Sequence, residues 1–193
     1  GRMVEAEESY RAVLARRPNN AEALAGLAEL SIAQGRIEEG RQRFEELRKR
    51  VPEDRRTLLS LALLSEYRGN VEEAESFVRR ALRSHGLDPV VNALAAEFYL
   101  RRNRPDRAVE LARRALEVSD STQTREILLR GLLESGDYLA ADEVSRQLLR
   151  NAEDRLVAWY LRGLALERLG RTEEALGAME RLLLLAPQEE LPR

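Results

Sequence analysis

The chain has 193 residues, of which 44% are hydrophobic, 34% charged and only 5% aromatic, and its formal net charge is −2. This near-neutral balance provides no strong field for nucleic acid or an anionic membrane, and the absence of cysteine excludes disulfides and thiolate metal sites. The abundance of Ala, Leu, Glu and Arg favours long amphipathic helices.

A turn centred on glycine recurs along the chain. The turn residues are Gly1, Gly35, Gly69, Asn103, Gly136 and Gly170, at intervals of 34, 34, 34, 33 and 34 residues. Each glycine is expected to end one helix in a left-handed conformation, which costs little without a Cβ atom. Asn is the next most tolerant residue at such a position. The constant period predicts tandem helical hairpins.

A second helix is predicted after each turn. Acidic pairs at 38–39, 72–73 and 173–174 open three of these helices, where they complement the positive end of the helix dipole. The first buried position is always small, which lets the two helices of a hairpin approach closely. These residues are Ala6, Gly40, Ala74, Ala108, Ala141 and Ala175.

The second helices are expected to stop at Pro18, Pro52, Gly86 and Pro187. First helices should begin soon after each stop, with apolar residues three and four apart. Their predicted first residues are Ala21, Arg55, Pro89, Thr122 and Leu156.

This order of helix, turn, small residue, helix and breaker resembles the tetratricopeptide repeat, most closely through Trp159, Gly163, Ala175 and Pro187. The resemblance implies an all-α, right-handed α-solenoid of about eleven antiparallel helices. It covers residues 1–193 as one array: a half repeat, 1–20, and repeats 21–54, 55–88, 89–121, 122–155 and 156–189. Other helical hairpins, such as Sel1-like repeats, are the structural alternative.

Three residues depart from the family pattern. Asn92 and Arg125 replace a large apolar residue, and Arg162 stands where Leu is usual. They leave open a register shift of about one residue. Because residue 1 aligns with the middle of a repeat and 182–185 is apolar on more than one face, we expect a segment of a longer protein with bare solenoid ends.

The sequence predicts no enzyme, cofactor or metal site. His85, the single histidine, stands at a helix end without a nucleophile or co-ligands nearby in sequence. The central arginines, including Arg113, are expected on an outer ridge interleaved with Glu, so we expect no nucleic-acid partner. The apolar run 182–186 is too short to span a bilayer, and residues 1–14 lack a signal-peptide pattern. Bacterial cytoplasm and periplasm both remain open.

In the resembling family, first-helix residues at fixed positions form a concave wall that binds partners. The partner-binding residues predicted here are Leu59, Leu63, Glu66, Tyr67, Ala93, Glu97, Leu100, Arg101, Arg130, Leu133, Tyr160, Leu164 and Glu167. This wall has no Lys or Asn for a carboxylate clamp. If the register holds, Tyr67, Tyr160, Leu63 and Leu100 are exposed along one continuous groove; otherwise some of these residues pack between repeats.

The leading functional hypothesis is therefore a scaffold or adaptor that binds a partner protein or peptide. The resemblance suggests bacterial envelope assembly, secretion or polysaccharide export. The alternative is a targeting arm of a larger enzyme whose catalytic domain lies outside this segment. A third hypothesis is weak self-association through the exposed solenoid ends.

Overall fold

A computed structural model describes residues 2–151 and 155–186 of the protein. These residues form eleven α-helices and no strand. The helices are α1 (Arg2–Arg16), α2 (Ala21–Ala33), α3 (Ile37–Arg50), α4 (Arg55–Tyr67), α5 (Val71–Ser84), α6 (Pro89–Arg101), α7 (Pro105–Val118), α8 (Thr122–Ser135), α9 (Tyr138–Asn151), α10 (Leu156–Arg168) and α11 (Thr172–Leu185). All five predicted first-helix starts are confirmed.

The helices form two compact units, residues 1–86 and residues 87–193. In the first unit, each helix from α1 to α5 packs against the next one along the chain. The second unit repeats this order from α6 to α11, and there α8 also contacts both α6 and α10. The first helices of the second unit therefore lie side by side as one layer.

The turns inside the hairpins have the predicted left-handed residue. Gly35, Gly69, Gly136 and Gly170 have φ between 73° and 82°, and Asn103 has φ of 54°. The backbone amide of the residue after each turn residue donates to a carbonyl of the preceding helix. Arg36, for example, donates to the Ser31 carbonyl at 2.8 Å. Such bonds satisfy carbonyls that the end of the helix leaves free.

Side-chain caps fix the start of three first helices. Asn20 accepts from the Ala23 amide at 2.9 Å, Asp54 accepts from the Thr57 amide at 2.8 Å, and Asp88 does the same at the start of α6. The caps satisfy amides that have no partner within the helix. They explain why these helices begin where the sequence pattern places them.

Small residues allow each hairpin to close. Ala74, Ala108 and Ala141 are fully buried at the first core position of their helices. A Cβ atom on Gly40 would lie only 2.5 Å from Ile32 Cγ1 and 2.8 Å from the Ala28 carbonyl oxygen. The predicted close approach at these positions is therefore present.

The three departures from the family pattern are accommodated by polar contacts. Buried Asn92 donates to the Asp88 carbonyl at 2.9 Å. Arg125 donates to Asp120 at 2.7 Å and 2.9 Å and to Gln147 at 3.2 Å. Arg162 donates to the buried carboxylate of Asp142 on α9 at 3.2 Å. None of the three displaces the start of its helix.

Candidate functional site

One exposed surface of a first helix lies on α4, in the first unit. Leu63 and Tyr67 lie one turn apart and are 50% and 79% exposed, and Glu66 between them is half-buried. Residues at i and i+4 share one helical face, so the leucine and the tyrosine form one apolar strip. Large apolar side chains left in water without packing commonly mark a binding surface.

An ion pair borders this strip. Arg56 on α4 binds both carboxylate oxygens of Glu29 on α2. These hydrogen bonds raise the pKa of Arg56 above its usual value. The pair joins two successive first helices, α2 and α4.

The second unit has a cleft between α6 and α8. Its volume is about 490 Å³, and Pro89, Val90, Ala93, Leu94 and Ile127 form its apolar lining. The polar lining is Glu97, Ser119, Ser121, Gln123 and Thr124. Ala93 and Glu97 were predicted as partner-binding residues. An apolar cleft with a few polar groups is the usual form of a binding site.

The predicted α6 residues beside the cleft are charged. Glu97 and Arg101 form an ion pair at 3.1 Å, each with about two-fifths of its side chain exposed. An exposed pair of this kind contributes little stability. Glu97 is the one carboxylate among the residues that line the cleft.

Helix α10 adds a second exposed strip beside α8. Tyr160 and Val157 are 48% and 49% exposed, and Leu164, one turn after Tyr160, is half-buried. On α8, Arg130 and Leu133 are also half-buried, whereas Glu167 on α10 is exposed. Because α8 contacts both neighbours, the cleft and this strip belong to the same layer of first helices.

Two predicted wall residues are not on the surface. Leu100 is 7% exposed and Leu59 is 9% exposed, so the expectation that Leu100 is exposed was wrong. Leu100 lies one turn after fully buried Ala96, and Leu59 lies three residues before buried Ala62. Both leucines therefore continue the core stripe of their helices. Exposure of Leu63, Tyr67 and Tyr160 agrees with the predicted register, and continuity of the groove across the two units stays a prediction.

A charge cluster behind α10 was not anticipated from the sequence. The carboxylate of Asp142 on α9 is 4% exposed and accepts from Arg171 at 2.6 Å, from Arg162 at 3.2 Å and from Arg146. Burial raises the pKa of Asp142, but the hydrogen bonds from the three arginines outweigh it and hold the pKa below its ordinary value. The cluster ties α9 and the start of α11 to α10, the helix that carries Tyr160. The only sequence signal was the unusual Arg162.

His85 has a structural contact. Its Nε2 lies 2.6 Å from the Glu53 carbonyl oxygen; because a carbonyl only accepts, this nitrogen carries the proton. Across residues 2–151 and 155–186, no three Asp, Glu or His side chains come together to hold a metal ion. None of the helices in these ranges has both the length and the apolar character needed to cross a bilayer.

The first and last described helices also expose apolar side chains. On α1, Met3, Val4 and Val13 are 50%, 55% and 39% exposed. On α11, Leu183 and Leu184 are 52% and 71% exposed, whereas Leu182 is buried. The expectation of bare apolar surface over 182–185 is thus wrong for Leu182, because this residue follows buried Ala178 by one turn.

Comparison with known proteins gives one family. Models described as tetratricopeptide repeat match residues 1–64, 93–126 and 157–189. No curated protein matches the chain by sequence.

Solved structures share the fold at low identity. A MamA protein has a TM-score of 0.76 at 14% identity, with 89% of this chain and 98% of that chain covered. YrrB, a tetratricopeptide-repeat protein with an unusual peptide-binding site, has a TM-score of 0.81 at 15% identity, with 95% of each chain covered. A tetratricopeptide-repeat protein from Parabacteroides merdae ATCC 43184 has a TM-score of 0.71 at 18% identity, covering 98% of this chain and 74% of that one. The chain belongs to the tetratricopeptide-repeat family.

Proposed function

We propose that this chain is a protein-interaction scaffold or adaptor whose first helices bind a segment of a partner protein. The observation that carries the proposal is the cleft of about 490 Å³ between α6 and α8, because two predicted partner-binding residues, Ala93 and Glu97, line it. Val90 of α6 and Gln123 of α8 line it beside them. The structural neighbour YrrB has a peptide-binding site, which supports the same kind of ligand.

The partner segment has apolar anchors. Val90 is 48% exposed within the cleft, and Tyr160 provides a wide ring with a hydroxyl group on the neighbouring strip. Tyrosine combines large contact area with a small loss of side-chain entropy. An extended or helical segment with leucine-sized side chains would bury this surface, and Glu97 would favour a basic or amide group beside it.

Photo-crosslinking tests this proposal. A benzophenone amino acid replaces Val90 in one variant and Arg113, an exposed residue on α7, in the control variant. We expect a discrete adduct from the Val90 position in extracts of the native host, and excess unlabelled protein should compete with it. The same adduct from the Arg113 position at equal yield would contradict binding at the first-helix wall.

The biological setting we propose is a bacterial one, in envelope assembly, secretion or polysaccharide export. The alternative is the targeting arm of a larger enzyme encoded in the same reading frame. The two differ in what flanks this segment, so the full-length gene distinguishes them. A catalytic domain beside the array would favour the targeting arm.

Self-association is a second candidate function, and the exposed face of α11 favours it. Leu176, Leu183 and Leu184 are 59%, 52% and 71% exposed on one helix. We propose that this face drives weak homo-oligomers. Light scattering as a function of protein concentration should show a rising mass, and Leu183→Glu should keep the protein monomeric. A constant monomer mass for the unmodified chain would contradict this second function.

A further inference from the structure

A second cleft lies in the first unit, between α1, α2 and α3. Its volume is about 340 Å³, and Leu14, Leu24, Leu27 and Leu47 form its apolar lining. Leu27 is two residues before Glu29, which pairs with Arg56 of the next first helix, and Leu24 is two residues after Glu22. Residues two apart lie on nearly opposite sides of a helix. The cleft therefore faces away from the first-helix wall.

The next repeat of the same chain shows which side chain stands at the equivalent position. One period of 34 residues later, at the junction of α3, α4 and α5, the counterpart of Arg43 is Phe77. Phe77 is 6% exposed, and the counterparts of Leu24 and Leu27, Leu58 and Leu61, are 0% and 1% exposed. In the next repeat, the aromatic ring at this position is thus buried, as are the counterparts of Leu24 and Leu27.

At the first junction the residue at this position is Arg43, and the buried ring of this repeat is Phe44, one position later. Arg43 instead forms an ion pair with Glu39 at 2.6 Å and keeps about a third of its side chain exposed. Leu47 is larger than its counterpart Ala81 and fills part of the space, but the volume of about 340 Å³ remains. Leu14 and Leu24 are left partly exposed.

The charges around the cleft indicate which partner fits. Arg50 donates to the Pro18 carbonyl at 3.3 Å and to Asn19 at 3.0 Å, and Arg43 is paired with Glu39. Glu46 is exposed at the rim, and no ion pair of the described residues uses its carboxylate. Arg50 keeps its positive charge, because both of its partners are neutral, and Glu46 is the rim carboxylate without an ion-pair partner among the described residues. Glu46 can therefore accept a basic residue of a partner.

We propose that this cleft is a second docking site, which takes an aromatic side chain from an amphipathic helix of a partner, with a basic residue one turn away facing Glu46. The incoming ring occupies the place that Phe77 has in the next repeat. There the guanidinium carbon of Arg48 lies 5.9 Å from the Phe77 ring centroid. At the first junction the counterpart of Arg48 is Leu14, so the incoming ring meets a leucine there instead of a guanidinium group.

The α5 sequence itself provides the probe. A fluorescent peptide with residues 71–84, VEEAESFVRRALRS, carries Phe77 and, three residues later, Arg80. We expect saturable binding to the unmodified protein by fluorescence anisotropy. The same peptide with Phe77→Ala should bind about tenfold more weakly or worse, because the ring is the anchor.

Two protein variants test the location. Arg43→Phe places the protein's own ring in the cleft and should abolish peptide binding while raising the melting temperature. Glu46→Arg, at an exposed position, should weaken peptide binding severalfold without affecting the fold. Tyr160→Ala should leave peptide binding unchanged, which separates this site from the first-helix wall. No saturable binding to the unmodified protein, equal binding of the Phe77→Ala peptide, or full binding by Arg43→Phe would each overturn the proposal.

Discussion

The buried carboxylate of Asp142 provides a sharp test of how the last repeats are held together. It binds guanidinium groups from α9, from α10 and from Arg171, the residue before α11. Asp142→Asn keeps the shape of the side chain and one acceptor oxygen but removes the negative charge. Three neighbouring cations would then repel one another without their shared counter-ion. We therefore expect Asp142→Asn to destabilise the second unit.

The expected size follows from burial. Removing one partner of a fully buried ion pair costs about 3–5 kcal/mol. The three arginine side chains keep 21%, 34% and 39% of their surface exposed, so water screens part of the repulsion, and the amide oxygen still accepts one bond. We expect a loss of about 2 kcal/mol in the free energy of unfolding.

The assay uses urea unfolding followed by the fluorescence of Trp159, the only tryptophan. The guanidinium carbon of Arg162 lies 5.8 Å from the ring centroid of Trp159, so this signal reports on the cluster. Repeat arrays are stabilised by local interfaces, so the fluorescence midpoint should fall more than the midpoint seen by circular dichroism.

The matched control is Glu143→Gln. Glu143 is the next residue on α9, 53% exposed and 4.0 Å from Arg146, so its loss should change stability by no more than about 0.5 kcal/mol. Equal effects of Asp142→Asn and Glu143→Gln would refute the reasoning.

The pH dependence of stability, compared between the unmodified protein and Asp142→Asn, gives an independent check. Because the pKa of Asp142 is lowered in the folded state, its contribution to stability is fully present above the unfolded pKa of about 4. It is lost as the pH falls through the lower folded pKa. The stability difference between the unmodified protein and Asp142→Asn should be constant above about pH 5 and shrink below about pH 4.

Further outcomes concern the turns, an exposed helix position and the single histidine. Gly69→Ala should cost about 1 kcal/mol in thermal unfolding, because φ is 78°, whereas Gly177→Ala, in open space within α11, should stabilise by about 0.5–1 kcal/mol. If Gly69→Ala stabilises the protein and Gly177→Ala destabilises it, the left-handed turn at Gly69 is refuted. His85→Ala should lower stability by about 0.5–1.5 kcal/mol, since its bond to the Glu53 carbonyl is lost. A stability unchanged by this substitution would contradict the contact.

Local chemistry made much of the fold predictable. The left-handed glycines, the Asn103 substitute and the small residues such as Ala74 depend on neighbours a few residues away. The structure has them except at the first turn, where Ala6 is only half-buried and Gly1 lies outside the described residues. The first-helix starts depend on caps such as Asp54, which also act within one turn. Such features can be read from a periodic sequence without knowledge of tertiary packing.

The surface was harder to predict because exposure depends on what packs above each position. Leu100 and Leu63 both occupy predicted wall positions, yet only Leu63 is exposed. The Asp142 cluster joins residues 20 and 29 positions apart, and the position of Asp142 is taken by Arg41 and Glu75 in earlier repeats. No single-sequence pattern links these charges, because three different helices bring them together.

The central claim is that the first-helix wall binds the partner, and the affinity of the cross-linked partner segment tests it most directly. Isothermal titration calorimetry compares the unmodified protein with Tyr67→Ala, Tyr160→Ala and Arg113→Glu. Each tyrosine variant should bind about 1–3 kcal/mol more weakly with an unchanged melting temperature, because each removes an exposed anchor. Arg113→Glu should bind normally. If Arg113→Glu abolishes binding and both tyrosine variants retain it, the wall is not the binding surface.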